Sequence, residues 1–257
     1  MTDVYDRVSA VFEISAEFLR EPADLPSDSL FGRDAALVSF RTYDIVRTQW
    51  STGVKNLRVA ADMSGAAPAV HLGLHLVALR SALLCTARAL WILSSFEPEE
   101  RVARAACTVM ADRRRGRAAL QAAGEASHEP GLLKVADRFE EARRKIEEEL
   151  QRAGISPVRS PTETQLVNHL GEKVDDYYGE DGRSKQDALV LWSASSSLSH
   201  GERWFSDLGK SMAETVTKRS LDVVCSGLNL VWQDSLAGLA TGIRFPWFPA
   251  KKPDPSG

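Results

Sequence analysis

The chain has few cysteines, and they stand far apart. Its 257 residues include only Cys85, Cys107 and Cys225, and none of these belongs to a CxxC pair. Their odd number, wide spacing and lack of a CxxC pair argue against both a disulfide framework and a structural zinc site. We expect three reduced thiols inside a helical core.

The chain also lacks an excess of charge of either sign. Its 32 lysines and arginines stand against 35 aspartates and glutamates, which leaves a formal net charge of -3. This balance excludes a protein that binds duplex nucleic acid mainly through overall positive charge, although it is compatible with a local basic patch. Residues 1–7 carry carboxylates where a secretory signal peptide has basic residues. We therefore expect a cytoplasmic protein.

Two further absences concern secondary structure. No long stretch alternates apolar and polar residues, and no glycine-rich loop of the Walker or dinucleotide-binding type is present. Helical periodicity dominates instead, and 44% of the residues are hydrophobic, which is enough for a large core. The sequence predicts an all-α, single-domain bundle of about seven or eight helices over residues 1–244, followed by a proline-rich tail over residues 245–257.

Capping residues, prolines and glycines set the expected helix boundaries. Thr162 and Gln165 form a capping box, Pro98 suits the first turn of a helix, and Gly154 suits a helix end. The predicted helices cover residues 3–20, 34–63, 69–93, 98–126, 132–153, 162–178, 185–200 and 207–242.

Residues 70–93 form the most apolar segment of the chain. They still contain His71, His75, Arg80 and Arg88, and ionisable side chains at this density are too costly in a lipid bilayer. We therefore predict a long buried helix at the centre of the bundle and no membrane partner. Because a buried guanidinium must be paired, Arg80 and Arg88 either bridge to carboxylates of other helices or hold an anionic ligand.

The same helix offers one weak metal-binding pattern. His71 and His75 have the i, i+4 spacing of two ligands on one helix. The residues between them include no glutamate, and no third ligand is evident nearby. We therefore predict no metal and no cofactor, and the histidine pair stays the weaker alternative.

A serine-rich segment lies between Trp192 and Trp204. Helical periodicity places several of its polar side chains on one stripe, namely Ser193, Ser196, Ser197 and His200. We expect this stripe to face inward, where His200 together with Ser196 and Arg80 would act as general acid, general base or anion contact. The alternative is a structural histidine beside small serines that let helices approach closely. Whether the protein is an enzyme is left open by the sequence.

A second candidate surface is basic. Arginines recur along one predicted helix, at Arg101, Arg104, Arg113, Arg114 and Arg115. Positions 101, 104 and 115 fall within about 60° of arc, and such a stripe suits phosphate groups or an acidic partner. The alternative is a solvated helix face. No aromatic residues alternate with these arginines, so a stacking platform for single-stranded nucleic acid is not predicted.

Three pieces of the chain together resemble a known family. They are the apolar segment from Arg80 that ends in Leu-Trp-Ile-Leu, the Glu-Arg-Val-Ala-Arg that starts at Glu100, and the Ser-x-x-x-His-Gly that starts at Ser196. Over about residues 70–205 the chain resembles uncharacterised bacterial all-helical proteins related to the HEPN group. The resemblance implies a helical bundle, often dimeric, and active members cleave RNA with an arginine four to six residues before a histidine. No arginine precedes His200 at that distance, and Arg183 is the closest.

Two functions follow from these observations. The resemblance implies a HEPN-like homodimer that binds RNA or a protein partner in a stress or defence role, without the usual RNase motif. The alternative is a small-molecule-binding protein or enzyme, with a pocket between the central helix, which contains Arg80, and the serine-rich helix, which ends at His200. In that alternative, Trp192 and Trp204 line the binding site together with the serines.

Overall fold

The structure is a computed structural model that describes residues 4–18, 25–66, 74–199 and 210–238. Within these ranges the chain forms nine α-helices and no strand, so the predicted all-α fold is confirmed. The helices are α1 (Val4–Phe18), α2 (Leu30–Ala35), α3 (Thr42–Ala66), α4 (Leu74–Leu93), α5 (Pro98–Ser127), α6 (Pro130–Arg152), α7 (Glu163–Tyr178), α8 (Arg183–Ser199) and α9 (Lys210–Gly238).

The largest departure from the predicted boundaries lies before α3. The expected helix over residues 34–63 is divided into α2 and α3, and residues 36–41 form the turn between them. Ser29 caps α2, because its Oγ accepts a hydrogen bond from the backbone N–H of Gly32 at 3.0 Å. The turn is held from α6, where the two carboxylate oxygens of Glu149 accept bonds from the backbone N–H and the hydroxyl of Ser39 at 2.8 and 2.6 Å. The break therefore depends on a residue 110 positions further along the chain.

The described residues belong to two compact units. Unit 1 draws on the described residues within 1–23, 47–93 and 161–257, and unit 2 on those within 24–46 and 94–160. The division falls inside α3, between Val46 and Arg47. The prediction of a single domain over residues 1–244 stays a prediction, and the last residues of that range and the tail lie outside the described part of the chain.

Helix α4 is the core helix of unit 1. It contacts α7, α8 and α9, and its inward side chains Leu76, Leu79 and Leu83 are fully buried. Residues 75–93 of this helix are long and apolar enough to cross a membrane, and 72% of them are buried inside the protein. The long buried helix predicted over residues 70–93 is therefore present from Leu74 onward, with the serine-rich helix α8 against it.

Helices α7 and α8 approach each other very closely. A Cβ atom added at Gly171 would lie 2.3 Å from the Cα of Lys185, so only glycine fits at this contact.

The predicted capping box is present at the start of α7. The Oγ1 of Thr162 accepts a hydrogen bond from the backbone N–H of Gln165, and the side chain of Gln165 accepts one from the backbone N–H of Thr162. The start of α7 is thereby fixed next to the site described below.

Helices α5 and α6 form an antiparallel hairpin in unit 2. His128, at φ 54°, ends α5 in the left-handed conformation, and α6 begins two residues later at Pro130. Near the base of the hairpin a hydrophobic cluster surrounds Val102, Ala106, Ile146 and Leu150. We call residues 111–145 the α5–α6 arm.

Candidate functional site

The clearest candidate site surrounds Arg80, in the first half of the largely apolar helix α4. Its guanidinium carbon lies 3.9 Å from the centre of the Trp192 ring in α8. Its Nη2 donates to the Oε2 of Glu163, the first residue of α7, at 3.3 Å. The side chain of Arg80 is 23% exposed, so the group reaches the edge of the core. We call Arg80, Trp192 and Glu163 the Arg80 site.

The electrostatics of the Arg80 site favour a negative group. The guanidinium is a permanent cation, and the amino terminus of α7 adds the positive end of a helix dipole. Glu163 supplies a carboxylate there and is 40% exposed, so another anion can take its place without entering the core. The Trp192 ring lies against the guanidinium in a cation–π contact. The arrangement can therefore hold a carboxylate or phosphate group.

The serine stripe does not form the buried face of α8. Ala188, Leu191 and Ser195 form the buried face of α8, Ser196 is half-buried, Ser197 is buried, and Ser193 is exposed. The expected inward orientation is therefore wrong for Ser193. The Oγ of Ser195 donates to the backbone carbonyl of Leu191 at 2.6 Å, so this hydroxyl is satisfied within the helix while its small size lets α8 approach the core.

Several candidate residues lie outside the described part of the chain. These are His200, Trp204 and His71, and the structure therefore leaves their predicted roles as predictions. Trp192 and Arg80 are brought together, whereas Ser196 follows Trp192 one helical turn later and about 40° around the helix axis.

His75 is used in the core rather than at the Arg80 site. Its Nε2 lies 2.9 Å from the hydroxyl of Thr217 in α9, and that hydroxyl donates to the backbone carbonyl of Ala213. Because the hydroxyl proton is already engaged, the Nε2 of His75 is the donor in the first bond. Among the described residues, no group of three or more His, Cys, Asp or Glu side chains is arranged to hold a metal ion.

Arg101 does not belong to a surface stripe. Its guanidinium and the carboxylate of Asp34 are both fully buried, and they form two hydrogen bonds, from Nε at 2.9 Å and from Nη2 at 2.5 Å. The backbone carbonyls of Ser95 and Leu30 accept two more bonds from the same guanidinium. Burial raises the pKa of Asp34, and the contact with Arg101 opposes that rise. The predicted surface position of Arg101 is wrong, because Asp34, which is distant in the sequence, pairs with it in the core.

The remaining arginines of the predicted stripe differ in exposure. Arg104 is largely covered, and it donates to the carboxylate of Glu100 at 2.6 Å and to the hydroxyl of Ser94 at 2.8 Å. Arg113 is half-buried, whereas Arg114 and Arg115 are exposed. The continuous basic stripe is thereby reduced to a short exposed segment of α5.

A second group of charged side chains was missed by the sequence analysis. Arg7 in α1 pairs with Asp222 in α9 at 2.7 Å, and Arg219 in α9 pairs with Asp187 in α8 at 3.4 Å. Burial raises the pKa of both carboxyl groups, and the arginines oppose the rise. Burial also raises the pKa of Tyr178 to about 12. These contacts tie three helices of unit 1 together.

Glu163 and Asp34 were also missed. The position of Glu163 directly after the N-cap Thr162, inside the capping box, indicates a carboxylate near a helix amino terminus, and this is the only local signal for its role. No feature of the sequence connects it with Arg80, 83 residues earlier, or Asp34 with Arg101, 67 residues later.

Comparisons with protein-family models, with curated proteins and with solved structures find no match to this chain. The resemblance to HEPN-related proteins over about residues 70–205 therefore stays a prediction.

Proposed function

We propose that this protein binds a small anionic molecule, with a carboxylate or phosphate group, at the Arg80 site. The observation that carries the proposal is the position of the Arg80 guanidinium, stacked on Trp192 and partly exposed beside the start of α7. An arginine on an apolar helix is costly unless a negative group compensates it. Glu163 compensates it in the free protein.

The shape of the Arg80 guanidinium supports a carboxylate or a phosphate as the ligand. A guanidinium offers a planar fork of donors that matches carboxylate and phosphate oxygens in pairs, and an aromatic face beneath it limits its rotation. A phosphate brings more negative charge than Glu163 and need not be tethered to α7. The hydroxyl of Ser196, one turn beyond Trp192, and the imidazole of His200, four residues further, are additional donors in this proposal.

The test is calorimetric titration with inorganic phosphate at low ionic strength. We expect the wild-type protein to bind and Arg80→Gln to bind at least about ten-fold more weakly, because a charged hydrogen bond contributes about 1.5–3 kcal/mol. Arg88→Gln is the matched control, since Arg88 is a half-buried arginine on the same helix. Its affinity should equal that of the wild-type protein.

A second variant separates binding from structural support. Glu163→Gln removes the internal competitor for Arg80, so it should bind phosphate more tightly than the wild-type protein. If Arg80 were only a structural tie, Glu163→Gln would lower stability and leave binding unchanged. Equal phosphate affinity in the wild-type protein and Arg80→Gln, or absence of binding in both, contradicts the proposal.

A second candidate function is that of a HEPN-like module that binds RNA or a protein partner in a stress or defence role. The exposure of the consecutive arginines Arg114 and Arg115 supports it. Retention of single-stranded RNA should then weaken with added salt, and Arg114→Glu should reduce both the affinity and the slope of that salt dependence. Absence of RNA binding at low salt excludes the RNA form of this candidate.

A further inference from the structure

In the α5–α6 arm, no other part of the described chain covers the side of α5 that faces away from α6. Helix α6 covers the opposite side of α5, where the ring of Phe139 packs on Gly116 and Leu133 packs on Gly124. A Cβ at Gly116 would lie 2.5 Å from that ring, which explains a glycine in the middle of a long helix. The two helices are therefore in close contact on one side, and the other side of α5 is left to solvent.

The exposed side of α5 combines small residues with charges of opposite sign at its two ends. Arg115, Ala118, Ala122 and Glu125 are all exposed, and they lie within about 80° of arc around the helix. Alanines at a contact allow two helix axes to approach to the short end of the usual 8–10 Å range. The basic end lies at Arg115 and the acidic end at Glu125.

These four positions are symmetric about residue 120. Arg115 and Glu125 are each five residues from it, and Ala118 and Ala122 are each two residues from it. In an antiparallel pair of identical helices with a two-fold axis at this position, Arg115 faces the partner's Glu125 and Ala118 faces the partner's Ala122. The ion pair and the alanine contact then each occur twice, as an isologous interface requires. A parallel pair would place like charges together.

We propose that a second copy of this chain docks on this face, with the two α5 helices antiparallel and centred on residue 120. Charge complementarity favours this occupant, because the face is complementary to itself in one orientation only. In the single chain Arg115 pairs with Asp112 at 2.5 Å and Glu125 accepts from Gln121 at 3.0 Å. Such exposed pairs within one helix are weak, so both side chains can leave these contacts and pair with the second copy.

The test is sedimentation velocity of the full chain over a series of concentrations at low salt. The wild-type protein should dimerise. Arg115→Glu and Glu125→Arg should each weaken the dimer at least about ten-fold, because each change creates two like-charge contacts. An equimolar mixture of the two variants should restore a heterodimer, since each reversed charge then faces an opposite one. The double variant should restore the homodimer for the same reason.

Arg138→Glu is the matched control, because Arg138 is an exposed arginine of the same arm on α6. It should dimerise like the wild-type protein, and circular dichroism should show equal helicity in all variants. A wild-type monomer at every concentration overturns the proposal, and so does a dimer that the single changes leave intact or that the mixture does not restore. A monomer whose RNA binding is lost in Arg115→Glu also overturns it and assigns the residue to nucleic acid.

Discussion

Arg101 and Arg104 stand one helical turn apart in α5, but only Arg101 and its carboxylate partner are both fully buried. Arg101 is fully buried and donates four hydrogen bonds, two of them to Asp34. Arg104 donates to Glu100, whose side chain is 47% exposed. A buried ion pair that loses one partner leaves a charge without compensation in the core, whereas a surface pair is replaced by water. The two arginines should therefore differ strongly in their contribution to stability.

We expect Arg101→Met to lower the free energy of unfolding by about 3–5 kcal/mol, because the carboxylate of Asp34 is left buried without its partner. Arg104→Gln should lower it by less than about 1 kcal/mol. Denaturant unfolding followed by circular dichroism measures both.

The double variant Arg101→Met with Asp34→Leu tests the cause. It removes both charges, so it should be more stable than Arg101→Met alone. A double variant less stable than either single one would show that shape, and not charge compensation, dominates at this position.

At the scale of helices, the contact between α7 and α8 depends on one missing side chain. An alanine at Gly171 would place its Cβ 2.3 Å from the Cα of Lys185 and 2.9 Å from its backbone nitrogen. Backbone atoms of a neighbouring helix cannot move aside without separating the two helices. This contact also fixes α8 relative to α7, and these two helices carry Trp192 and Glu163.

Gly171→Ala should therefore lower the free energy of unfolding by about 1–3 kcal/mol or more, although alanine by itself favours a helix by up to about 1 kcal/mol over glycine. Gly131→Ala is the control, because the Cβ there would meet only the flexible end of the Glu129 side chain at 3.1 Å. It should be neutral or stabilising. Equal effects of the two substitutions in denaturant unfolding would contradict the close approach of α7 and α8.

At the scale of the whole molecule, the reactivity of the three cysteines measures how well the cores of both units exclude solvent. Cys85 and Cys225 belong to unit 1 and Cys107 to unit 2; all three are buried and none forms a disulfide. Burial raises the pKa of the Cys107 and Cys225 thiols, which lowers the fraction of reactive thiolate. The limited access of a reagent to these thiols and their raised pKa both slow their modification.

We expect a thiol reagent to modify the native cysteines at least about a hundred-fold more slowly than an exposed Ser193→Cys control, because exposure of a buried thiol needs an opening of several kcal/mol. In denaturant all three should react rapidly. Intact-mass and peptide mass spectrometry measures the rates site by site. Rapid modification of Cys225 in the native protein would contradict the packing of α9.

Several features of this fold were determined by the sequence alone. The capping box at Thr162 and Gln165, the proline at the start of α5 and the apolar period of α4 predict helices that the structure contains. Each of these signals acts between residues a few positions apart, so it is readable without knowledge of the rest of the chain. The all-α class follows from such local signals.

Only the tertiary structure decided which polar side chains meet. Three features depend on contacts between residues more than 60 positions apart. They are the turn between α2 and α3, which Glu149 contacts, the burial of Arg101 against Asp34, and the contact of Arg80 with Glu163. The rotation of α8 that exposes Ser193 and buries Ser195 likewise follows from packing against other helices. Helical periodicity states which side chains share a face, but the free energy of burying that face depends on partners that only the folded chain brings within reach.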